Sequence, residues 1–451
     1  MTCLLFGAFC LRAMAAWFGF NDLSNDPDAY ARLAVNWSNS GIYGFESVDG
    51  TVTPTAFRPP LYPWLLSWLV VNGRLALVAV ALLHIALGVA TVGISYAIGL
   101  RLNLRFAGLA GVMVAIDPLL VRGAQLVMTE TLATFMAVAV WWLALVVWPQ
   151  SADNARPVVQ RHITQWLALV GFGLALGLSV LARPTAAPWA LLCVVVLLFG
   201  RSASWKRRIN DCLLVSTCVL LCLLPWTLRN LSLLGKPIWA TTHGGYTLLL
   251  ANNLSLYDHF SKRGPARDWD PQDFHAAWEL RYAPGNAAQL QRPEYWKQAP
   301  SETENTDRPP PVFDEVVDDK LAYRASYATI AKQPAMFLLS CLYRASWLWA
   351  LWPHDGTFGM SEVFIGLWYA MMFMLAVTGL VTLVRSGIYR GWLIGLCLLV
   401  SLTAVHAVFW SNMRMRAPAM PCVILLATAA LQSLPRRMNI SPTTINTPPA
   451  I

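Results

Sequence analysis

The chain has 451 residues, 57% hydrophobic and 13% charged, with a mean hydropathy of +0.50. That balance excludes an ordinary soluble globule and fits a protein that crosses a membrane repeatedly. The formal net charge of +9 could suit nucleic acid, but the bases fall mostly between apolar runs, where membrane topology explains them better.

A bilayer core about 30 Å thick is crossed by roughly 20 helical residues. Residues 1–20 form the first such run, interrupted by Arg12. It has no charged start and no convincing small-residue cleavage site, so a retained helix is expected rather than a removed signal. Polar residues 21–74 follow. Further spans are then predicted at 75–100, 106–121, 126–148, 165–183, 186–200 and 210–227, and, after a long polar region, at 361–384, 391–410 and 417–434. The result is an all-α polytopic membrane protein of roughly ten transmembrane helices.

With ten spans counted, Arg101, Arg105, Arg156, Arg161, the run 201–208 with Lys206 and Arg207, Arg385, Arg390, Arg436 and Arg437 share one side. The excess of bases marks that side as cytoplasmic, with both termini on it. Segments 21–74, 122–125, 184–185, 228–360 and 411–416 then face outward. The expected division is an N-terminal transmembrane catalytic module, 1–227, whose outer loop 21–74 carries the site. An extracytoplasmic α-rich or mixed region, 228–360, comes next, then C-terminal membrane helices, 361–434, and a cytoplasmic tail, 435–451. Within the outer region, 258–320 is polar and Pro-rich, with Arg308-Pro-Pro-Pro311 and the acidic stretch Asp314–Asp319. Residues 333–352 contain Arg344 and end in Trp347, Trp349 and Trp352. As an eleventh span they would move Arg385 and Arg390 outside, so an interfacial helix is preferred.

Nine cysteines lie almost entirely in hydrophobic runs without a Cys-x-x-Cys pair, as expected of small apolar packing residues. His84 and His406 also sit in apolar runs, where a neighbouring carbonyl is the expected partner. His243 and His354 face outward, too far apart in sequence to be a strong metal signal. Gly244-Gly245 reads as a turn rather than a phosphate cradle.

The chemistry concentrates in the first outer loop, with Asp26, Asp28 and Tyr30, then Arg58. A transferase acting on an alcohol or amine needs a general base, a role that a positioned carboxylate fills. It also needs cations where a phosphate leaving group gathers charge, and Arg supplies a bidentate fork. Pro59 and Pro60 restrict the backbone after Arg58. Glu130 opens a span, where a carboxylate is costly unless paired or facing a wet cavity. A helix-start carboxylate favoured by the dipole is the alternative for Glu130, and a snorkelling arginine for Arg58, Arg183 and Arg229.

Asp26-x-x-x-Tyr30-Ala31, Gly41-Ile-Tyr-Gly44 and Phe57-Arg-Pro-Pro-Leu-Tyr-Pro63 together resemble the first outer loop of the GT-C glycosyltransferases. The protein O-mannosyltransferase and aminoarabinose transferase group is the most similar branch. Thr129-Glu-Thr-Leu132, Arg183-Pro184, Pro225-Trp-x-x-Arg229-Asn230 and Thr242-His-Gly-Gly-Tyr246 to Asn252-Asn253 extend the resemblance to about residue 255. It implies inverting transfer of a sugar, hexosyl or pentosyl, from a polyprenyl-phosphate donor to an acceptor glycan, lipid or protein at the outer face of a prokaryotic cytoplasmic membrane. It aligns Asp26 with the catalytic base, leaving Asp28 and Glu130 as further catalytic candidates. Arg58 aligns with the residue that meets the donor phosphate, and Tyr30, Arg183, Arg229, Asn230 and His243 are further substrate-binding candidates. No metal ligand set is evident, and a divalent cation stays open. The rival class is a transporter or flippase for a lipid-linked or polar solute, which accounts for the spans but not for the paired loop motifs.

Overall fold

The apolar runs satisfy their backbone polar groups internally as helices, the arrangement that a membrane interior demands. The computed structural model describes residues 1–47, 49–148, 158–200, 203–282, 286, 289–297, 314–353 and 359–433. Arg156, Arg201, Arg308–Pro311, His354, Arg436, Arg437 and the tail 435–451 lie outside the described residues, as does the side chain of Arg161.

In chain order the first ten helices are α1 (Thr2–Phe18), α2 (Tyr30–Ser40), α3 (Leu61–Ser67), α4 (Leu77–Arg101), α5 (Ala107–Ile116), α6 (Pro118–Gly123), α7 (Glu130–Val147), α8 (Val158–Ala182), α9 (Ala187–Phe199) and α10 (Trp205–Leu234). The outer region follows as α11 (Gly244–Ala251), α12 (Leu254–Arg263), α13 (Gln272–Glu279), α14 (Glu315–Lys332) and α15 (Pro334–Leu348). The chain closes with α16 (Met360–Ser386), α17 (Leu393–Val408), a 3-10 helix Met413–Ala419 and α18 (Met420–Ala430). Among the described residues six helices are long and apolar enough to cross a membrane: Leu77–Arg101, Glu130–Val147, Ile163–Ala182, Trp205–Leu234, Met360–Ser386 and Arg390–Val408. The apolar helices Thr2–Phe18, Ala107–Ile116 and Pro184–Phe199 are shorter.

Several expectations change in detail. The predicted span 106–121 is broken at Asp117, whose carboxylate caps α6 by accepting from Leu120 N at 3.1 Å, with Pro118 at the first helical position. Asp117 is fully buried and also accepts from Tyr369 Oη at 3.2 Å and Trp368 Nε1 at 3.3 Å. The seventh span does not close near 227. Its helix continues past Pro225 to Leu234, where Gly235 takes the left-handed conformation that ends it. Gly244-Gly245 is the first turn of α11, not a free turn. Residues 21–74 are folded rather than irregular, holding α2, α3, the hairpin β1 (Gly44–Glu46) with β2 (Val52–Pro54), and the small hairpin β3 (Val70–Val71) with β4 (Arg74–Leu75).

The bundle core contains Val140, Trp141, Phe172, Trp189, Trp392 and Ile424. Trp141 and Trp189 donate to the carbonyls of Gly391 and Ile394, each at 2.9 Å, so both indole N–H groups are paired. Small residues bring the helices close, as expected where lipid offers no hydrophobic drive. Gly379 faces the Leu426 carbonyl across α16 and α18 so closely that an added Cβ would overlap its oxygen. Gly379→Ala is therefore expected to lower unfolding stability by about 1–3 kcal/mol, measurable as a lower melting temperature in detergent.

The first loop has its own apolar layer, with Tyr30, Leu33, Tyr43, Leu61, Tyr62 and Leu66 packed on residues such as Val80, Val127 and Trp226. A further core in the outer region gathers Leu249, Phe274, Trp296 and Ala322. Helix α15 exposes Leu338 and Leu342 on one face while Arg344, on the other, is fully buried and donates to the carbonyls of Ala251 and Ala407.

Candidate active site

Five parts of the chain converge at one end of the bundle: the loop before α2, the Arg58 turn, the start of α7, the end of α8, and the turn after α17. Asp26 accepts from Ala31 N at 3.1 Å and Arg32 N at 2.9 Å, so both carboxylate oxygens hold the first turn of α2. An acidic group suits this end of a helix. Ala29 adopts φ +61, a left-handed conformation unusual for a residue with a side chain. Its neighbour Asp28 takes up the Arg58 fork: Nε donates to the Asp28 carbonyl and Nη2 to Oδ1, each at 2.9 Å. Arg58 also lies over the rings of Phe57, at 4.6 Å, and Tyr30, at 5.6 Å. Tyr43 Oη donates to the Arg58 carbonyl at 2.8 Å.

The other oxygen of Asp28 lies 3.7 Å from Nη2 of Arg414. Arg414 Nε is 3.1 Å from Oε1 of Glu130, and Arg183 Nη1 is 3.7 Å from the same oxygen. Arg58, Asp28, Arg414, Glu130 and Arg183 thus alternate in sign along one chain of contacts. Three guanidinium groups face two carboxylates, so the cluster carries surplus positive charge. Glu130 is 4% exposed and Asp28 27%, which leaves Asp28 the reachable acid.

Arg229 and Asn230 are not brought into this cluster. Arg229 donates to the carbonyls of Thr55 and Tyr43, each at 2.6 Å, and Asn230 Nδ2 donates to Ile238 O at 2.8 Å. They clamp the loop that presents Arg58. His243 packs edge-on to Phe57 at 4.5 Å and stacks on Tyr246 at 4.9 Å. Burial first, and the Arg58 charge second, hold its ring well below the usual imidazole value, so it is neutral at pH 7. His84 and His406 each meet a carbonyl, of Ala124 at 2.9 Å and of Trp410 at 3.1 Å. Among the described residues no three His, Cys, Asp or Glu side chains form a metal-ligand group.

Two contributors escaped sequence reasoning. Arg414 sits in the short segment 411–416 already placed on the same side as the motifs, and an arginine in so apolar a setting was the available signal. Glu315, at the start of α14, accepts from Thr55 Oγ1 and, at 2.8 Å, from Ala56 N. Burial raises its carboxyl above the usual range, opposed by these bonds. Glu315→Ala leaves the Ala56 N–H without its partner. It is expected to cost about 1–3 kcal/mol of stability, with Glu315→Gln milder, as read from thermal unfolding of the purified proteins.

Beside the cluster runs an apolar groove of about 560 Å³ between the first loop and helices α8 and α10, lined by Trp37, Tyr43, Trp64, Leu181 and Trp226, with Arg229 on its wall. It reaches the Arg58 segment through Tyr43, whose hydroxyl donates to the Arg58 carbonyl, and through Pro60 and Leu61.

Comparison with protein-family models gives no match, and comparison with curated protein sequences gives none. Solved structures do match. The oligosaccharyltransferase of Archaeoglobus fulgidus, tethered to an acceptor peptide containing the NVT sequon, aligns with 95% of this chain and 49% of its own at 15% identity and a TM-score of 0.51. The apo form of that protein aligns with 95% and 50% at 16% identity and a TM-score of 0.49. ArnT from Cupriavidus metallidurans bound to undecaprenyl phosphate aligns with 94% and 77% at 17% identity and a TM-score of 0.41. The chain spans about half the length of the oligosaccharyltransferase.

Proposed function

We infer that the chain has a GT-C membrane fold, on the likeness of its fold to that of the oligosaccharyltransferase. From this premise we propose that it is a polyprenyl-phosphate-dependent glycosyltransferase that moves a hexose or pentose to an acceptor glycan, lipid or protein with inversion. The topology that goes with this reading has ten crossings, both termini in the cytoplasm, and the site on the outer face of a prokaryotic cytoplasmic membrane. The observation that carries it is the alternating Arg58–Asp28–Arg414–Glu130–Arg183 cluster beside the apolar groove. A charged head on an oily tail fits that pairing, with the isoprenoid in the groove and the phosphate among the guanidinium groups.

In the proposed reaction the acceptor hydroxyl or amine loses its proton to a carboxylate and its lone pair attacks the anomeric carbon. The bond from that carbon to the phosphate oxygen breaks, and polyprenyl phosphate leaves with the electron pair, stabilised by Arg58, Arg183 and Arg414. We assign the base to Asp28 in place of Asp26. Asp26 has both oxygens committed to backbone N–H groups and acts by fixing the turn that carries Asp28. Glu130 holds Arg183 and Arg414 apart and aligned.

The test is release of polyprenyl phosphate from a radiolabelled polyprenyl-phosphate sugar by purified protein in detergent. No release with any lipid-linked sugar, together with solute flux in liposomes, would overturn the reading in favour of transport.

A further inference from the structure

Buried polar atoms in folded proteins almost always have partners, and each exception calls for an explanation. Three occur within seven residues, at the end of α17 and in the turn after it. His406 is 3% exposed, and its Nδ1 lies 3.1 Å from the Trp410 carbonyl. A carbonyl can only accept, so Nδ1 carries the proton and Nε2 of the neutral ring is a bare lone pair. That Nε2 is enclosed and has no hydrogen-bond partner among the described residues. Ser411, 1% exposed, has an unpartnered Oγ, and Asn412 an unpartnered, enclosed Oδ1. Asn412 immediately precedes the 3-10 helix that carries Arg414. The three orphans therefore adjoin the arginine cluster without belonging to it.

Their chemistry separates them from the phosphate. Phosphate oxygens accept hydrogen bonds and cannot satisfy a lone pair on Nε2 or a carbonyl oxygen on Asn412. A group that donates a hydrogen bond is required there, with an atom that can also accept from Ser411, and a sugar hydroxyl does both. We propose that His406, Ser411 and Asn412 form a pocket that reads hydroxyls of the sugar ring transferred from the donor, and so help to set which sugar is used. This rests on the glycosyltransferase reading above. A site built to hydrogen-bond a substrate hydroxyl rejects an analogue lacking it far more strongly than an apolar site rejects a change of size.

The test compares an undecaprenyl-phosphate hexose accepted by the wild type with its series of monodeoxy analogues, using wild type, His406→Ala and Ser411→Ala. One deoxy analogue is expected to lose roughly 10- to 100-fold in kcat/KM with the wild type. His406→Ala is expected to lose a similar factor on the parent sugar and no more on that analogue. Ser411→Ala keeps the test open if His406→Ala fails to fold, with the same non-additive pattern expected for the hydroxyl that Ser411 meets. Equal fractional loss by a variant on every donor, or wild type indifferent to all deoxy sugars, would overturn the pocket alone. Wild type that turns over no polyprenyl-phosphate sugar would overturn the underlying function as well.

Discussion

Asp28→Asn is expected to lower kcat by about 10²–10⁴-fold, the range that general-base catalysis supplies, while donor binding changes little. The amide nearly matches the carboxylate in shape and can still accept from Arg58 Nη2, whose bond to Asp28 Oδ1 is 2.9 Å long. It cannot take a proton from the acceptor. Initial rates of polyprenyl phosphate release, with donor affinity measured separately, check this. Asp26→Asn provides the contrast. It keeps an acceptor for one of the two backbone N–H groups at 3.1 and 2.9 Å, so loosened loop geometry and a smaller loss are expected. A larger loss in Asp26→Asn than in Asp28→Asn would return the base to Asp26.

Arg414→Ala is expected to be damaging in two ways. Activity should fall about 10²–10³-fold, the usual effect of deleting one donor aimed at developing charge. Stability should fall as well, because Glu130, 4% exposed, would lose its partner at 3.1 Å and keep only Arg183 at 3.7 Å. Removing one member of a buried ion pair costs about 3–5 kcal/mol. Since Arg414 is itself 31% exposed, the lower part of that range or less is expected. Arg414→Lys should recover much of the stability but less of the rate, since an ammonium cannot bridge Asp28 and Glu130 as a planar fork does. Melting temperature and initial rate, measured on the same preparations, separate the two effects.

The helices were readable because each long apolar run has one low-energy solution in lipid. Helix interruptions were harder, since the break at Asp117 depends on Tyr369 and Trp368, some 250 positions away, to satisfy a buried carboxylate. Pro225 shows the reverse. It reads as a helix end, yet the helix carries on through it. Of the candidate site residues, Asp28, Arg58, Glu130 and Arg183 stand in one cluster, whereas Arg229 and Asn230 serve the loop backbone. Local sequence identifies a charge but not its partner. Arg414 and Glu315 were missed for that reason, as both work on residues far away in the chain.

The grip of Glu315 on Thr55 and Ala56 spans as many as 260 positions. The segment that presents Arg58 is thus synthesised long before the carboxylate that steadies it. A growing polypeptide would acquire its reactive geometry only after most of its length had left the ribosome. The first loop would then lack its steadying carboxylate until the α14 segment had docked.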